Sequence, residues 1–534
     1  MKKLILIFFP LFASAQFGNE TETPILWNSL IQKNQLKEVE IQKDSIELEK
    51  VLKDEASSNH SAITSNTNIT FQDFKITKVL SNGDKVYQLK ITSEDALGMV
   101  FYFDSFKLEA GAKMWMYDDK NESYIGSYSS INNQEDQHFV SSVIEGKDII
   151  IEYLEPKHVI TKPFKLTKVY YFFRGLKVEI GYGNSDKCMI NVGCNEGKKY
   201  IDQSRATCRI LIFGTNYASF CTGTLVNNTK NDETPYIITA NHCSMNAKPS
   251  EFVDWEFHFF FQTQDCNGNT LSNSKTIYKG CTYVAGSGQD YGIYSSDFLL
   301  LKLNQPVLKE KNHVFLGWDI SENITSKGVC YHHPMGDVKK VSTYNTKPTL
   351  GSFSNLGNNT HLVVTWVKTE NGFGVTQGGS SGSGLINEEG LLIGTLTGGA
   401  SSCNRPYKSD FYGRMSIHWD TYNKNVSTMQ LKQWLDPIES NVTSLKSLNI
   451  IQNTSAIEPT QNIECQINIE NHELSISWEE AHDMEVNIFN SVGGLVLNQR
   501  IHKNDKIDLN QFSKGMYIIE LNHSNNRWVK KVII

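Results

Sequence analysis

The feature that most constrains this chain is its punctuation. From about residue 71 onward, apolar residues come in short alternating runs bounded by Gly, Asn, Asp or Ser. A period of two over about four to eight residues is the pattern of half-buried β-strands. Lys85–Ile91, Val100–Phe103, Lys113–Tyr117 and Asp148–Tyr153 follow it, with turns such as Asn82-Gly83 and Glu145-Gly146 between them. Many more strands of this kind follow between Cys188 and about Asn449, and four or five more between Ile467 and Ile534: Glu473–Trp478, Glu485–Phe489, Leu495–Leu497, Met516–Leu521 and Trp528–Ile534. The pattern predicts an all-β protein of sandwiches or barrels. One helical stretch is expected near Leu36–Leu52, where Ile, Leu and Val recur at spacings of three to five, and Ser57–Thr70 reads as a polar loop.

The first fifteen residues have the order of an export signal. Lys2 and Lys3 precede the apolar stretch Leu4–Phe12, and Ala13-Ser14-Ala15 offers a small-residue cleavage site. The stretch is too short to span a bilayer, and no later apolar run reaches about 18 residues. Export to an oxidising space makes the cysteines candidates for disulfides. Nine of the ten lie between Cys188 and Cys403, and no C-x-x-C pair occurs. The 534 residues suffice for three or four domains, and the net charge of −7 lacks the basic footprint of a duplex nucleic-acid binder. The expected boundaries are a signal peptide at 1–15, an N-terminal β-rich segment at 16–182, a central domain at 183–449, a linker at 450–464 and a C-terminal β-sandwich at 465–534.

Three stretches of the central domain carry chemistry. Tyr236–Ala240 is a β-run that leads into Asn241-His242-Cys243. Ser295-Ser296-Asp297 precedes the apolar strand Phe298–Leu301. Gly378-Gly379-Ser380-Ser381-Gly382-Ser383-Gly384 sets a serine in a glycine-rich turn. A hydroxyl nucleophile needs an imidazole to take its proton, and the imidazole needs a carboxylate to fix its tautomer. The attacked carbonyl needs backbone N–H donors where its oxygen becomes negative, and glycines let the chain supply them. Each stretch alone is weak. Their order, His then Asp then Ser at separations of 55 and 84 residues, suits two consecutive barrels with the three side chains between them.

Thr239-Ala240-Asn241-His242-Cys243 and Gly379-Ser380-Ser381-Gly382-Ser383 resemble the chymotrypsin-like serine peptidases, and the lysyl endopeptidase branch in particular. Further stretches carry the likeness: Cys188–Cys194, Cys221–Thr229, Ser296-Asp297-Phe298, Gly317-Trp318-Asp319, His332-His333-Pro334, Asp410–Arg414 and Trp434–Pro437. The resemblance implies two six-stranded antiparallel β-barrels, with His242 as general base, Asp297 as its orienter and Ser381 as nucleophile. Gly379 and Ser381 N–H groups would form the oxyanion hole. Asp410 and Trp366 would bind substrate, with Asp410 at the base of the pocket. A carboxylate buried in a pocket demands a cation; the preference for lysine comes from the resemblance alone. It also implies the disulfides Cys188–Cys403, Cys194–Cys266 and Cys221–Cys243. Among Cys208, Cys281 and Cys330 at most one pair can form.

Three departures from the branch stand out. Ser380 occupies the position where trypsin-type zymogens carry an Asp, a feature the lysyl branch shares. Gly384 replaces a usual Pro. Thr397 replaces a His that stacks near the Trp beside the pocket. His332 and His333 have no third ligand at metal-binding spacing, so no metal or other cofactor is expected.

The N-terminal segment resembles the propeptide of the branch, most closely over His138–Pro156, with maturation expected between Lys177 and Asp186. Val486–Gly494, Ile507-Asp508-Leu509, Gly515–Ile519 and Val529–Ile534 resemble the type IX secretion sorting domain. These readings imply a monomer that is secreted or held at the cell surface after passing the periplasm. It would cut protein or peptide substrates after lysine and engage the type IX machinery. The alternatives are a peptidase of broader basic specificity and a catalytically silent β-protein acting as an adhesin.

Overall fold

The computed structural model describes residues 22–27, 36–53, 60–159, 162–174, 184–244, 247–268, 271–272, 274–288, 296–354, 356–421 and 426–450. In the C-terminal segment it describes 466–470, 473–477, 484–490, 495–502, 505–510, 512, 516–523 and 526–533. The leader at 1–15, Lys177, most of the linker and Cys465 lie outside the described residues. The chain divides into two units, Met1–Ile450 and Ile451–Ile534. The architecture is all-β.

The N-terminal segment forms two sheets. Lys85–Thr92, Lys113–Asp118 and Asp148–Glu155 pair at the middle of one. His60–Thr70, Lys165–Phe172 and Gly98–Asp104 pair in the other. Leu89, Ile91, Met114, Met116, Ile149 and Ile151 share one buried core with Phe101, Phe103, Leu166 and Tyr171. Two expectations need correction. The stretch Leu36–Leu52 is not one helix: Glu38–Glu40 adds as a parallel strand beside Lys90–Thr92, and the helix runs only over Ser45–Lys53. Ile41, just past that strand, is buried in the core, which the helical reading did not require. Within Ser57–Thr70, the described residues His60–Thr70 form an eleven-residue strand rather than a loop. Its Ser, Thr and Asn residues mislead because a strand hydrogen-bonded on both edges satisfies its backbone whatever the side chains.

That strand also changes the domain picture. Beyond Lys165–Phe172 it pairs antiparallel with Tyr217–Val226 of the central domain, with Ala62 opposite Ala218 and Ile63 opposite Tyr217. Ala62, Val100 and Phe172 bury against Leu211, Phe213 and Phe220. The N-terminal sandwich and the central domain therefore share one sheet.

The first circuit of the central domain can be followed strand by strand. Thr207–Phe213 pairs with Tyr217–Val226, which pairs with Tyr236–Ala240, which pairs with Phe298–Leu303. Phe298–Leu303 pairs with Cys281–Gly286. Gly280, at φ +81°, links that strand directly to Thr276–Lys279. Thr276–Lys279 pairs with Glu256–Phe259, which returns to Thr207–Phe213. The second circuit runs from Lys340–Tyr344 through Gly328–His332, Gly384–Ile386, Leu392–Gly399 and Asp410–Arg414 to His361–Val364. The Val367 N–H donates to Thr343 C=O at 3.0 Å and closes it. Pairing around a ring leaves few unpaired edges.

The C-terminal unit has a three-stranded and a four-stranded sheet. Leu474, Ile476, Val486, Ile488, Ile519 and Leu521 form its own core.

Replacing Ala62 by Asp would bury an unpaired carboxylate in the shared sheet, opposite Ala218. Such burial costs about 3 kcal/mol, and urea unfolding should lose that much stability. A shift under about 0.5 kcal/mol would mean that the shared sheet does not form.

Candidate active site

Strand register builds the first half of the site. Tyr236–Ala240 and Phe298–Leu303 are antiparallel, with Ala240 opposite Phe298. One residue further, Asn241 N–H donates to Asp297 C=O at 3.1 Å. His242 then falls against the Asp297 side chain. Its backbone N–H donates to Oδ1 at 2.9 Å, and its ring Nδ1 lies 2.8 Å from Oδ2. Asp297 is buried and sits at φ +62°, a left-handed conformation that Asp tolerates better than most residues. Burial opposes a charge on His242. The Asp297 charge and hydrogen bond outweigh it and hold the imidazole pKa above its ordinary value.

Ser381 arrives on the loop before Gly384–Ile386. Gly382 has φ +81°, and a Cβ there would lie 2.0 Å from Thr239 Oγ1 and 2.6 Å from the Ala240 nitrogen. Only glycine lets the loop approach the strand that leads to His242 this closely. Ser381 C=O accepts the Thr222 N–H at 2.8 Å, and Ser381 is partly exposed. No hydrogen bond joins Ser381 Oγ to the His242 ring; such contacts commonly tighten only around substrate. Gly379 has φ +88°, and neither its N–H nor that of Ser381 donates to a backbone carbonyl among the described residues.

Asp410 begins the strand Asp410–Arg414 and is fully buried. Its Oδ2 accepts three donors: Ser401 Oγ at 2.6 Å, Trp366 Nε1 at 2.6 Å and Thr376 Oγ1 at 2.7 Å. Oδ1 accepts the Ser401 N–H at 3.2 Å. Gly399 stands opposite, where a Cβ would come within 2.0 Å of Oδ1. Burial raises the Asp410 pKa, and the donors only partly offset it. Among the described residues no cation pairs with this carboxylate. The Cys188–Cys403 disulfide ties down the loop carrying Ser401, and Cys221–Cys243 ties the strand Tyr217–Val226 to the residue after His242. Cys194 bonds Cys266, while Cys208, Cys281 and Cys330 are buried thiols.

Residues 182–413 match the family described as lysyl endopeptidase, C-terminal domain. The central segment is similar to the lysyl endopeptidase family over these residues. Residues 466–534 match the secretion system C-terminal sorting domain, and the chain is a secreted or cell-surface protein. The lysyl endopeptidase of Pseudomonas aeruginosa is 29% identical over 298 residues, which cover 51% of this chain and 61% of that one. The chain thus spans about three fifths of that relative. Among solved structures, a Glu endopeptidase is 15% identical, covering 43% of this chain and 94% of its own, at a TM-score of 0.29. A thermostable serine protease, AL20, is 12% identical, covering 40% and 91%, at a TM-score of 0.28.

Several residues that shape this site carry no sequence signal of their own. Thr376 and Ser401 look like ordinary turn residues, although Ser401 lies two positions before Cys403. Thr222 lies within a family-like stretch that gives it no role of its own. Thr397 meets a buried histidine from the neighbouring part of the barrel, with His361 Nε2 at 3.0 Å from its Oγ1. Burial holds His361 down to a pKa of about 4. Among the described residues no cluster of three or more His, Cys, Asp or Glu could hold a metal ion.

The raised pKa of Asp410 has a sign that can be measured. A carboxyl that binds its proton more tightly when folded costs stability once ionised. The cost is present above the folded pKa and vanishes as pH falls through the unfolded value near 3.8. Asp410→Asn keeps an oxygen acceptor and removes the charge. Its NH2 end faces donors where an oxygen accepted them, so the readout is the change with pH: relative to wild type, its Tm should rise between pH 3 and pH 7. The gain should fade below pH 4. A Tm difference between the two proteins that does not change with pH would contradict the burial argument.

Proposed function

We propose that this chain is a secreted serine endopeptidase that hydrolyses peptide bonds on the C-terminal side of lysine. The observation that carries the reading is the joint arrangement of an imidazole held on buried Asp297 and a deep carboxylate, Asp410, that pairs with no cation among the described residues. Ser381 Oγ attacks the scissile carbonyl while His242 takes its proton. The negative oxygen is received by the N–H groups of Gly379 and Ser381. His242 then protonates the leaving amine, and water releases the acyl group by the reverse sequence.

The donor pattern at Asp410 supports lysine over arginine. A carboxylate has about four lone-pair sites, and Oδ2 already accepts three donors. A guanidinium fork needs both oxygens open for its two parallel bonds. An ammonium is a point charge that can use the remaining capacity of Oδ1. Trp366 acts here by donating to Asp410 rather than by offering its face to the substrate.

The flanking segments fit export of a precursor. The N-terminal sandwich is read as a propeptide that shares a sheet with the first barrel, and the C-terminal unit as the address read by the type IX machinery. Protein and peptide substrates need no cofactor in this scheme.

The test is digestion of a peptide library by the trimmed protein. Cuts after lysine are expected. Ser381→Ala should lower kcat by about 10⁴–10⁶-fold and leave the N-terminal segment attached. Asp410→Ala should abolish the lysine preference. Sharp cutting after lysine by Asp410→Ala, or no phosphonate label on the trimmed wild type, would overturn the reading.

A pH profile provides an independent check. Asp297 holds the His242 pKa up, and only the neutral imidazole is a base. The acid limb of kcat/KM should therefore lie above pH 6.5, the ordinary imidazole value. In Asp297→Asn the residual activity should show that limb at lower pH, with kcat reduced by about 10⁴-fold. A limb that stays in place would remove Asp297 from its role.

A further inference from the structure

The loop Gln377–Ser381 is held by a chain of neutral hydrogen bonds centred on a histidine that the proposed chemistry does not use. His332, at the end of Gly328–His332, is fully buried. Its Nδ1 lies 2.7 Å from Ser380 Oγ, and its Nε2 lies 2.9 Å from Ser342 Oγ. The Gln377 N–H donates to Ser380 Oγ at 3.1 Å, and Ser342 Oγ lies 3.5 Å from Val375 C=O. One direction satisfies every member: Ser380 donates to Nδ1, the Nε2–H donates to Ser342, and Ser342 donates to Val375. Burial and the nearby Lys340 hold the His332 pKa down to about 3, so the ring stays neutral.

The other side of the loop is gripped from the first barrel. Thr222 Oγ1 accepts the His333 N–H at 3.0 Å and donates to Gly379 C=O at 2.8 Å. Met335 N–H donates to Gly378 C=O at 2.5 Å, and Ser383 N–H donates to Ser380 C=O at 3.0 Å. In a trans peptide the N–H points opposite to the C=O. Fixing the carbonyls of Gly378 and Ser380 therefore fixes the N–H groups of Gly379 and Ser381, the two donors of the proposed oxyanion hole.

We infer that Ser380, His332 and Thr222 are positioning residues that hold this hole formed in the single, uncut chain, so that Ser381 is reactive before the N-terminal segment is removed. The inference rests on the serine endopeptidase reading. None of these bonds uses a chain terminus, and all of them exist while the N-terminal sandwich is covalently attached.

Ser380→Ala removes both the donor to His332 and the acceptor for Gln377. With a lysyl peptide substrate, kcat should fall about 10²-fold, the scale for a lost oxyanion donor, while KM stays within twofold. Binding of a lysyl peptide aldehyde, whose adduct carries the oxyanion, should weaken by the same factor. Binding of a simple alkylamine to the pocket should not change. Ser380→Thr, which keeps the hydroxyl, should recover most of kcat. Should Ser380→Ala fail to fold, Ser342→Ala provides the same split at smaller amplitude. Equal losses for aldehyde and alkylamine, or unchanged kcat, would overturn the inference. The full-length chain, sampled before cleavage, should take a small fluorophosphonate on Ser381 within tenfold of the rate of the trimmed protein. An unlabelled full-length band beside labelled trimmed protein would overturn the inference alone. Labelling of neither would overturn the endopeptidase reading instead.

Discussion

The antiparallel register that sets Ala240 opposite Phe298 is the constraint on which the site depends. It brings His242 and Asp297, far apart in sequence, within hydrogen-bond reach. A slip by one residue would turn the side chains of one strand to the other face and break the pair. Both strands are buried and hydrogen-bonded on two edges, so the register is specified by the core rather than by the polar residues at its end. Ile237, Ile238, Leu299, Leu300 and Leu301 are fully buried. The core thus positions the imidazole and carboxylate, and neither polar group needs to contribute net stability.

The two buried carboxylates are treated differently by their surroundings. Asp297 receives an N–H on one oxygen and an imidazole on the other, and its charge has a partner in place. Asp410 receives only neutral donors, and its pKa is pushed up. Three hydroxyl or indole groups stabilise the anion without neutralising it. On the proposed reading, a cationic substrate side chain would relieve this uncompensated charge, with part of the binding energy prepaid at the expense of folding. Glycines recur for the same reason of space. Gly382 lets the serine loop reach the first barrel, and Gly399 leaves room for the Asp410 carboxylate.

How much of this was legible in the sequence follows the range of the interactions. Alternating strands and glycine turns are local, so the β-class, the strands Lys85–Thr92 and Asp148–Glu155 and the candidate residues His242, Asp297 and Ser381 could be singled out before any coordinates. The strand His60–Thr70 could not, because what makes it a strand is pairing with residues about a hundred or more positions away. The segment around Val39 failed for a related reason: its spacing fits a helix, but Lys90–Thr92 offers a parallel edge. The His332–Ser380 bond was illegible for a different reason. The sequence marked Ser380 as uncharged where a charge is usual, yet nothing in it indicated which buried group would take over the anchoring.

On the propeptide reading, the shared sheet bears on how the N-terminal sandwich would leave. Breaking the connecting chain removes none of the bonds between Tyr217–Ser219 and His60–Ile63. It leaves Tyr170 Oη on Gly214 C=O at 2.9 Å and His138 Nε2 beside Asp254 at 3.1 Å. Lys279, wholly buried, donates to Val140 C=O of the sandwich. Separation would strip an acceptor from that ammonium, a cation from Asp254 and the cover from Phe213 and Phe220. Each unpaired buried group costs about 1–3 kcal/mol or more if charged, and the apolar cover adds to that. If the sandwich is a propeptide, as proposed, cleavage and release would be separate events, and release would need either unfolding or digestion of the sandwich, because no single contact holds it.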